Sequence, residues 1–348
     1  MGQVLTLSSS VAVIFALLMG ALSVKFKHKS LLLMGLGFLT ISALGCSFSS
    51  NFNMMTISYA MTGLGFAMVG PMTTTLIAEH FPLEKRASAI GWLSAGMSLS
   101  YVIGAPLIGF IAGLGGWRSA FLGFALPISL LSLLMAARGL PSPPSIHQPM
   151  MSKGNYLEGF KRVFSNKSAI ACLVGTVLFV AGWQAILVYA WSFFRQQFLV
   201  STGFASIIIL GAALCYTFSS LVSGRFVNRF GRKPLTVLAT FLLGIFTVSY
   251  PNLPNLWLSL ALNFLGCLFA GMSFTASYSL SMEQVPRYRG TMMSINSAAI
   301  NMGSALGAGV GGLALLMYSY ELVGMSLGAM SLAATLFYYL LAIDPTRI

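Results

Sequence analysis

The stretch Ser223–Leu235, SGRFVNRFGRKPL, sets four cations (Arg225, Arg229, Arg232 and Lys233) into a chain that is otherwise almost entirely apolar. A basic tract can be a nucleic-acid patch, a cleavage site or a turn at a membrane surface, and the flanking sequence decides which. Of 348 residues, 57% are hydrophobic and only 7% charged, a balance outside that of soluble domains. Apolar runs of about 18 residues or more are long enough to cross a hydrocarbon core as helices, the element that satisfies its own backbone there. Eleven such runs can be read, at 5–24, 30–48, 55–77, 88–112, 119–137, 168–194, 203–226, 234–250, 256–279, 290–316 and 320–342. The opening tract is therefore the turn between the seventh and eighth runs.

The net charge of +13 would suit nucleic acid if the cations clustered on one surface. Instead, 17 of the 19 Lys and Arg residues fall in every second loop, and the intervening loops carry only Arg118 and Arg195. This alternation is the positive-inside pattern of a multi-pass protein of the cell membrane, inner or plasma, with the amino terminus outside and the carboxyl terminus cytoplasmic. The lipid bilayer is the expected surrounding, and nucleic acid is not an expected partner. Cys46, Cys172, Cys215 and Cys267 lie singly within apolar runs and read as buried small hydrophobes. Met1–Val24 lacks a basic leader segment, so it reads as a span and not as a cleaved signal peptide.

The basic turn has an echo. GALSVKFKHKS at 20–30 aligns with GRFVNRFGRKP at 224–234 at an offset of 204, and EHFPLEKR at 79–86 aligns with EQVPRYR at 283–289 at the same offset. GAPLIG from Gly104 aligns with GAGVGG from Gly307 at an offset of 203. Three ordered matches at nearly one spacing indicate a duplication. Because the paired basic loops share a face, the halves form a parallel repeat. The expected organisation is a bundle over 1–138, a cytoplasmic linker over 139–167 rich in Pro and Ser, and a six-helix bundle over 168–348. The first half has five runs where the second has six, so a first transmembrane helix is expected to be missing. Tyr156–Val163, YLEGFKRV, reads equally as a short amphipathic helix at the membrane surface or as a solvated loop.

On these residues the chain resembles the major facilitator superfamily of secondary transporters, whose signature after the second helix runs approximately GxxxDRxGRR. Gly224, Arg229, Gly231, Arg232 and Lys233 fit it, with Asn228 in place of the acid. The first copy keeps Gly20, Lys25 and Lys29 but has Val24 and Lys27 where the family has Asp and Gly. The resemblance implies an all-α membrane fold of two parallel six-helix halves, with eleven spans visible. It also implies that the motif holds a cytoplasmic gate with acidic partners at neighbouring helix ends, for which Glu79 and Glu283 are candidates. Gly91, Gly104, Pro106 and Gly109 resemble the helix-bending element of the drug and metabolite efflux branch, although Ser100 replaces one glycine and Ala105 separates Gly104 from Pro106.

Polar or aromatic residues deep in the spans are the candidates for a substrate cavity: Trp183, Gln184, Tyr189, Tyr216, Asn263, Asn296 and Asn301. Each could equally hydrogen-bond a neighbouring helix. All six acids lie at loops or span ends, so a co-transported proton remains an open partner with no visible intramembrane carrier. Arg195, near the outer end of its span, reads as a snorkelling cation or a lure for anions. There is no phosphate-binding loop, no HExxH and no metal-ligand spacing, so no enzyme activity, cofactor or metal is expected. The leading expectation is a monomeric secondary transporter that exports a small organic solute by alternating access, as an antiporter. An uptake facilitator and a non-transporting sensor or inactive truncated paralogue are the alternatives.

Overall fold

A computed structural model describes residues 8, 11, 12, 14–16, 18, 19, 22, 23, 25–140, 156–317 and 319–346. The structure is helical throughout, with no strand among the described residues. Nine helical segments among these residues are long and apolar enough to cross a membrane, and they correspond to nine of the eleven runs read from sequence. The run at 5–24 lies largely outside the described residues, and those described there are helical. The run at 88–112 is helical but interrupted by a wider π turn at Ser100–Gly104. The helices are α1 (His28–Ser47), α2 (Phe52–His80), α3 (Leu83–Leu99), α4 (Ala105–Ala120), α5 (Leu126–Gly139), α6 (Tyr156–Ser165) and α7 (Lys167–Gln184). They continue as α8 (Ala190–Gln197), α9 (Thr202–Phe230), α10 (Arg232–Ser249), α11 (Leu256–Glu283), α12 (Arg289–Met317) and α13 (Tyr320–Leu340).

Local chemistry sets several of these boundaries. Asn166 caps α7 by accepting from the Ser168 and Ala169 N–H groups, and Asn255 caps α11 through the Trp257 and Leu258 N–H groups. Pro106 stands in the first turn of α4 without an N–H to donate, directly after the π turn, where the backbone ladder is already loosened. Gly115 and Gly116 leave helical geometry, Gly116 at φ 78°, and separate the runs at 88–112 and 119–137. The Pro- and Ser-rich part of the linker lies outside the described residues, whereas 156–165 is a helix.

The chain forms two compact units, and each draws on both sequence halves. The first comprises Met1–His80, Ile103–Ser165 and Val285–Ala298. Its core joins Leu31, Leu32 and Leu36 of α1 to Met68, Met72 and Leu76 of α2, with Leu133 and Ala136 of α5 against them. Arg118 donates to the Ser49 carbonyl from Nε at 3.1 Å and Nη2 at 2.9 Å, tying the turn before α2 to the end of α4. Phe110, Leu114, Leu131 and Met135 are apolar yet exposed, as a lipid-facing surface requires.

The second unit comprises Phe81–Val102, Asn166–Gln284 and Ala299–Ile348. Within it α3 lies along α9 at close range. A Cβ on Gly91 would strike the Ser220 carbonyl, and one on Gly224 would strike the Ser88 backbone. Glycine at both positions lets the two backbones approach, as small residues do between membrane helices. Gly91, expected from sequence in a bending element, lies on the same interface as Gly224 of the basic motif.

Candidate substrate cavity and the basic turns

Beyond the α3–α9 contact the second unit forms a half-open cavity of about 490 Å³, within the range of about 300–1,000 Å³ typical of small-molecule sites. Phe179, Trp183, Trp191, Tyr216 and Phe274 supply aromatic walls. The Trp183 and Tyr216 rings lie 5.4 Å apart at 34°. The Tyr216 hydroxyl shares a hydrogen bond of 3.0 Å with Ser94 Oγ of α3, which also meets Ser220 Oγ at 3.2 Å. The α7 helix widens into a π turn at Ala185–Tyr189 directly after Gln184, and Ile186 and Leu187 of that turn also face the cavity.

Four of the seven residues proposed from sequence, Trp183, Gln184, Tyr216 and Asn263, meet at this cavity. Tyr189 does not line it, because its hydroxyl donates to the Ala308 carbonyl at 2.7 Å. Asn296 is buried in the first unit, and Asn301 is half-buried outside the lining. Phe179, Trp191 and Phe274 escaped the sequence reading, since an aromatic in an apolar run carries no signal separating a cavity wall from core. Asn263 is 1% exposed and its Nδ2 has no hydrogen-bond partner among the described residues. An unmet buried donor costs about 1–3 kcal/mol. No Asp, Glu, Lys, Arg or His among the described residues lines the cavity.

At the basic turn of the second unit, Gly231 ends α9 and precedes α10 at φ 99°, a conformation L side chains rarely adopt. Arg232 is buried, with Nε donating to Ser279 Oγ at 2.9 Å, Nη1 to Thr346 Oγ1 at 2.6 Å and Nη2 to the Leu83 carbonyl at 3.2 Å. Asn228 Nδ2 donates to the Glu84 carbonyl at 2.6 Å, so the residue replacing the family's acid still ties the motif to α3. Arg229 lies over the Phe230 ring at 5.4 Å, and Lys233 over the Tyr339 ring at 6.0 Å. Asp344 accepts from the Arg232 and Lys233 N–H groups, capping α10 with negative charge. Burial alone would raise the Asp344 carboxyl. The Thr346 hydroxyl and N–H, the Arg232 charge and the Lys233 N–H together hold it below its ordinary 3.8.

The two acidic candidates have partners that sequence did not assign. Glu283, 3% exposed, accepts from Arg86 Nη1 at 2.7 Å. Glu79 meets His28 Nδ1 at 2.6 Å, while His28 Nε2 lies 3.0 Å from the Ser23 carbonyl. The two ring nitrogens of His28 thus bridge the Glu79 carboxylate and the Ser23 carbonyl. The equivalence of positions 28 and 232 under the offset of 204 was the signal available for His28. Of the bending element, Gly104 would bring a Cβ to 3.5 Å from the Phe124 ring, an ordinary contact. Pro106 and Gly109 lie within α4.

The model of the Major Facilitator Superfamily matches residues 1–213 and 172–347, together almost the whole chain. An uncharacterized MFS-type transporter, YceJ, of Bacillus subtilis (strain 168) is 26% identical over 302 residues, spanning 86% of this chain and 76% of its own. A probable 4-methylmuconolactone transporter of Cupriavidus pinatubonensis is 27% identical over 299 residues, 83% of this chain and 68% of its own. A probable sugar efflux transporter of Helicobacter acinonychis is 24% identical over 348 residues, 98% of this chain and 86% of its own. In fold, the chain is similar to the crystal structure of the E. coli fucose:proton symporter, with a TM-score of 0.82 at 13% identity over 97% of this chain and 90% of that one. The helical architecture, the repeated basic turn and these matches agree, and the chain belongs to the major facilitator superfamily of membrane transporters, which are not enzymes.

Proposed function

We propose that this transporter exports a small organic solute across the cell membrane by alternating access, and that the cavity walled by Trp183, Tyr216 and Asn263 is its cargo site. The carrying observation is the convergence of aromatic rings and two amides on one space of drug-like size. The printed name of the Helicobacter acinonychis relative, a sugar efflux transporter, favours export as the direction. In this reading the halves 1–138 and 168–348 rock as a monomer about the linker 139–167, with the basic loops cytoplasmic. The contacts of α3 with α9, α10 and α11 at Leu83, Glu84 and Arg86 form the closed cytoplasmic gate. Each cycle breaks these contacts and remakes them.

Counterflow in proteoliposomes preloaded with a panel of organic solutes tests this reading. Accumulation of a labelled solute supports transport, and its loss in Trp183→Ala supports the cavity as the cargo site. Uptake of the same solute into everted vesicles supports export, and dependence on an imposed pH gradient separates proton antiport from facilitation. Binding of a solute without any exchange would favour a sensor.

A further inference from the structure

We propose that Tyr250, with Tyr189 as a second hold, is a positioning residue of the cavity in the second unit: the two hydroxyls keep the π turn at Ala185–Tyr189 wide, and the wide turn sets Trp191 on the same wall as Trp183. What this does for a cargo rests on the cavity's being the cargo site. Phe179, Trp183, Leu187 and Trp191 all line the cavity and recur at every fourth residue. In an unbroken α-helix four residues overshoot one turn by about 40°, so Trp191 would stand about 80° around the axis from Trp183. A turn closed by i→i+5 bonds takes up more residues and offsets that drift. The one in this stretch lies between the two tryptophans. Widening loosens the backbone ladder, and buried carbonyls there gain from donors outside the helix. Tyr250, 1% exposed in the short turn after α10, donates its hydroxyl to the Ala185 carbonyl at 3.0 Å, at the start of the wide turn. Its ring centroid lies 5.4 Å from that of Phe193 and 6.3 Å from that of Phe194, both in α8 beyond the turn. One buried side chain thus grips the helix at the start of the widening and past its end, and fixes the rotation between them. Ser259 Oγ donates to the Tyr250 carbonyl at 2.7 Å and holds that residue in place. At the far end of the turn the Tyr189 hydroxyl donates to the Ala308 carbonyl of α12 at 2.7 Å.

The test uses the full chain in nanodiscs and needs no cargo, so it bears on the positioning alone, whereas counterflow in Trp183→Ala bears on the cargo site. Two single-tryptophan chains are compared, one keeping Trp183, ahead of the wide turn, and the other keeping Trp191, beyond it. Trp92, Trp117, Trp257 and the other member of the pair are replaced by phenylalanine. Quenching by acrylamide reads the exposure of each tryptophan. Tyr250→Phe keeps the ring and removes the hydroxyl, and loss of one net hydrogen bond tips a two-state balance by about fivefold. The quenching constant of Trp191 is therefore expected to change by about twofold or more, while that of Trp183 holds. Tyr250→4-aminophenylalanine, which keeps a donor at the end of the ring, is expected to return Trp191 to its original value. Tyr189→Phe is expected to move Trp191 in the same way, and it decides the outcome if Tyr250→Phe does not fold. Unchanged quenching of Trp191 in Tyr250→Phe would overturn the role of Tyr250, and failure of the amino variant to restore it would overturn the hydrogen bond as the cause. A change at Trp183 as large as that at Trp191 would mean a general loosening of the bundle and would equally overturn the proposal.

Discussion

The turn at 25–29 in the first unit and the turn at 229–233 in the second occupy equivalent places in the repeat, yet they are held by different chemistry. In the second, Gly231 takes φ 99° and the chain enters α10 through a conformation that demands glycine. In the first, Lys27 sits at φ −61° and ψ 131°, ordinary extended backbone, so the lysine that departs from the family signature costs nothing there. Lys29 Nζ donates to the Ala137 and Leu140 carbonyls at the end of α5. At the place of Leu140 in the repeat stands Asp344, whose carboxylate instead accepts from the backbone of α10. The first copy satisfies a helix carboxyl end with a cation, and the second satisfies a helix amino end with an anion. Loss of signature residues in the first copy therefore reflects a different turn. The structural requirement for the signature survives only where it is buried.

The largest expected contrast concerns the paired acids. Arg86→Ala removes the guanidinium 2.7 Å from the buried Glu283 and is expected to destabilise the protein by about 3–5 kcal/mol. His28→Ala, at the half-exposed pair with Glu79, is expected to cost at most about 1 kcal/mol. Unfolding in detergent by chemical denaturant measures both, and equal losses would break the comparison. Next, Arg232→Ala removes three hydrogen bonds from a buried guanidinium and is expected to cost about 2–3 kcal/mol in the same measurement. Loss of flux without loss of stability would assign that residue a gating role alone.

Gly231→Ala is expected to cost about 1–2 kcal/mol because its φ is positive, whereas Lys27→Gly is expected to stay within about 0.5–1 kcal/mol of the unaltered chain. Thermal melting of the two variants side by side compares the backbones of the two turns directly. The smallest effect carries a pH signature. Asp344→Asn is expected to lower stability by about 1 kcal/mol at pH 7. Because folding holds the Asp344 carboxyl below 3.8, its contribution is complete above that pH. It disappears only as pH falls through the still lower value of the folded chain. The difference between the two proteins should thus be unchanged from pH 7 to pH 5 and close below pH 3.8.

Much of the fold was legible because hydropathy and loop charge are set by the bilayer and need no knowledge of packing. Nine of the eleven runs stand as spans, and Gly231 falls at a turn that needs it. The cavity was half legible. Gln184 and Asn263 stood out as amides in lipid, but Tyr189 and Asn296 have the same sequence signature and lie elsewhere. Only packing separates them: Tyr189 turns its hydroxyl to a helix carbonyl, while Asn263 borders the cavity. Arg86 and Asp344 read as loop charges and His28 carried no signal of its own, because partners 51 to 197 residues away leave no local pattern.

The most direct test of alternating access at this gate is a reversible cross-link between α3 and α9. Glu84→Cys and Asn228→Cys, placed in a chain whose four natural cysteines are replaced, join positions now linked by the Asn228 to Glu84 hydrogen bond. Counterflow is then measured with the solute that the proteoliposome panel yields. If the contact must open in each cycle, oxidation abolishes counterflow and reduction restores it. Undiminished counterflow through the cross-linked protein would contradict the account.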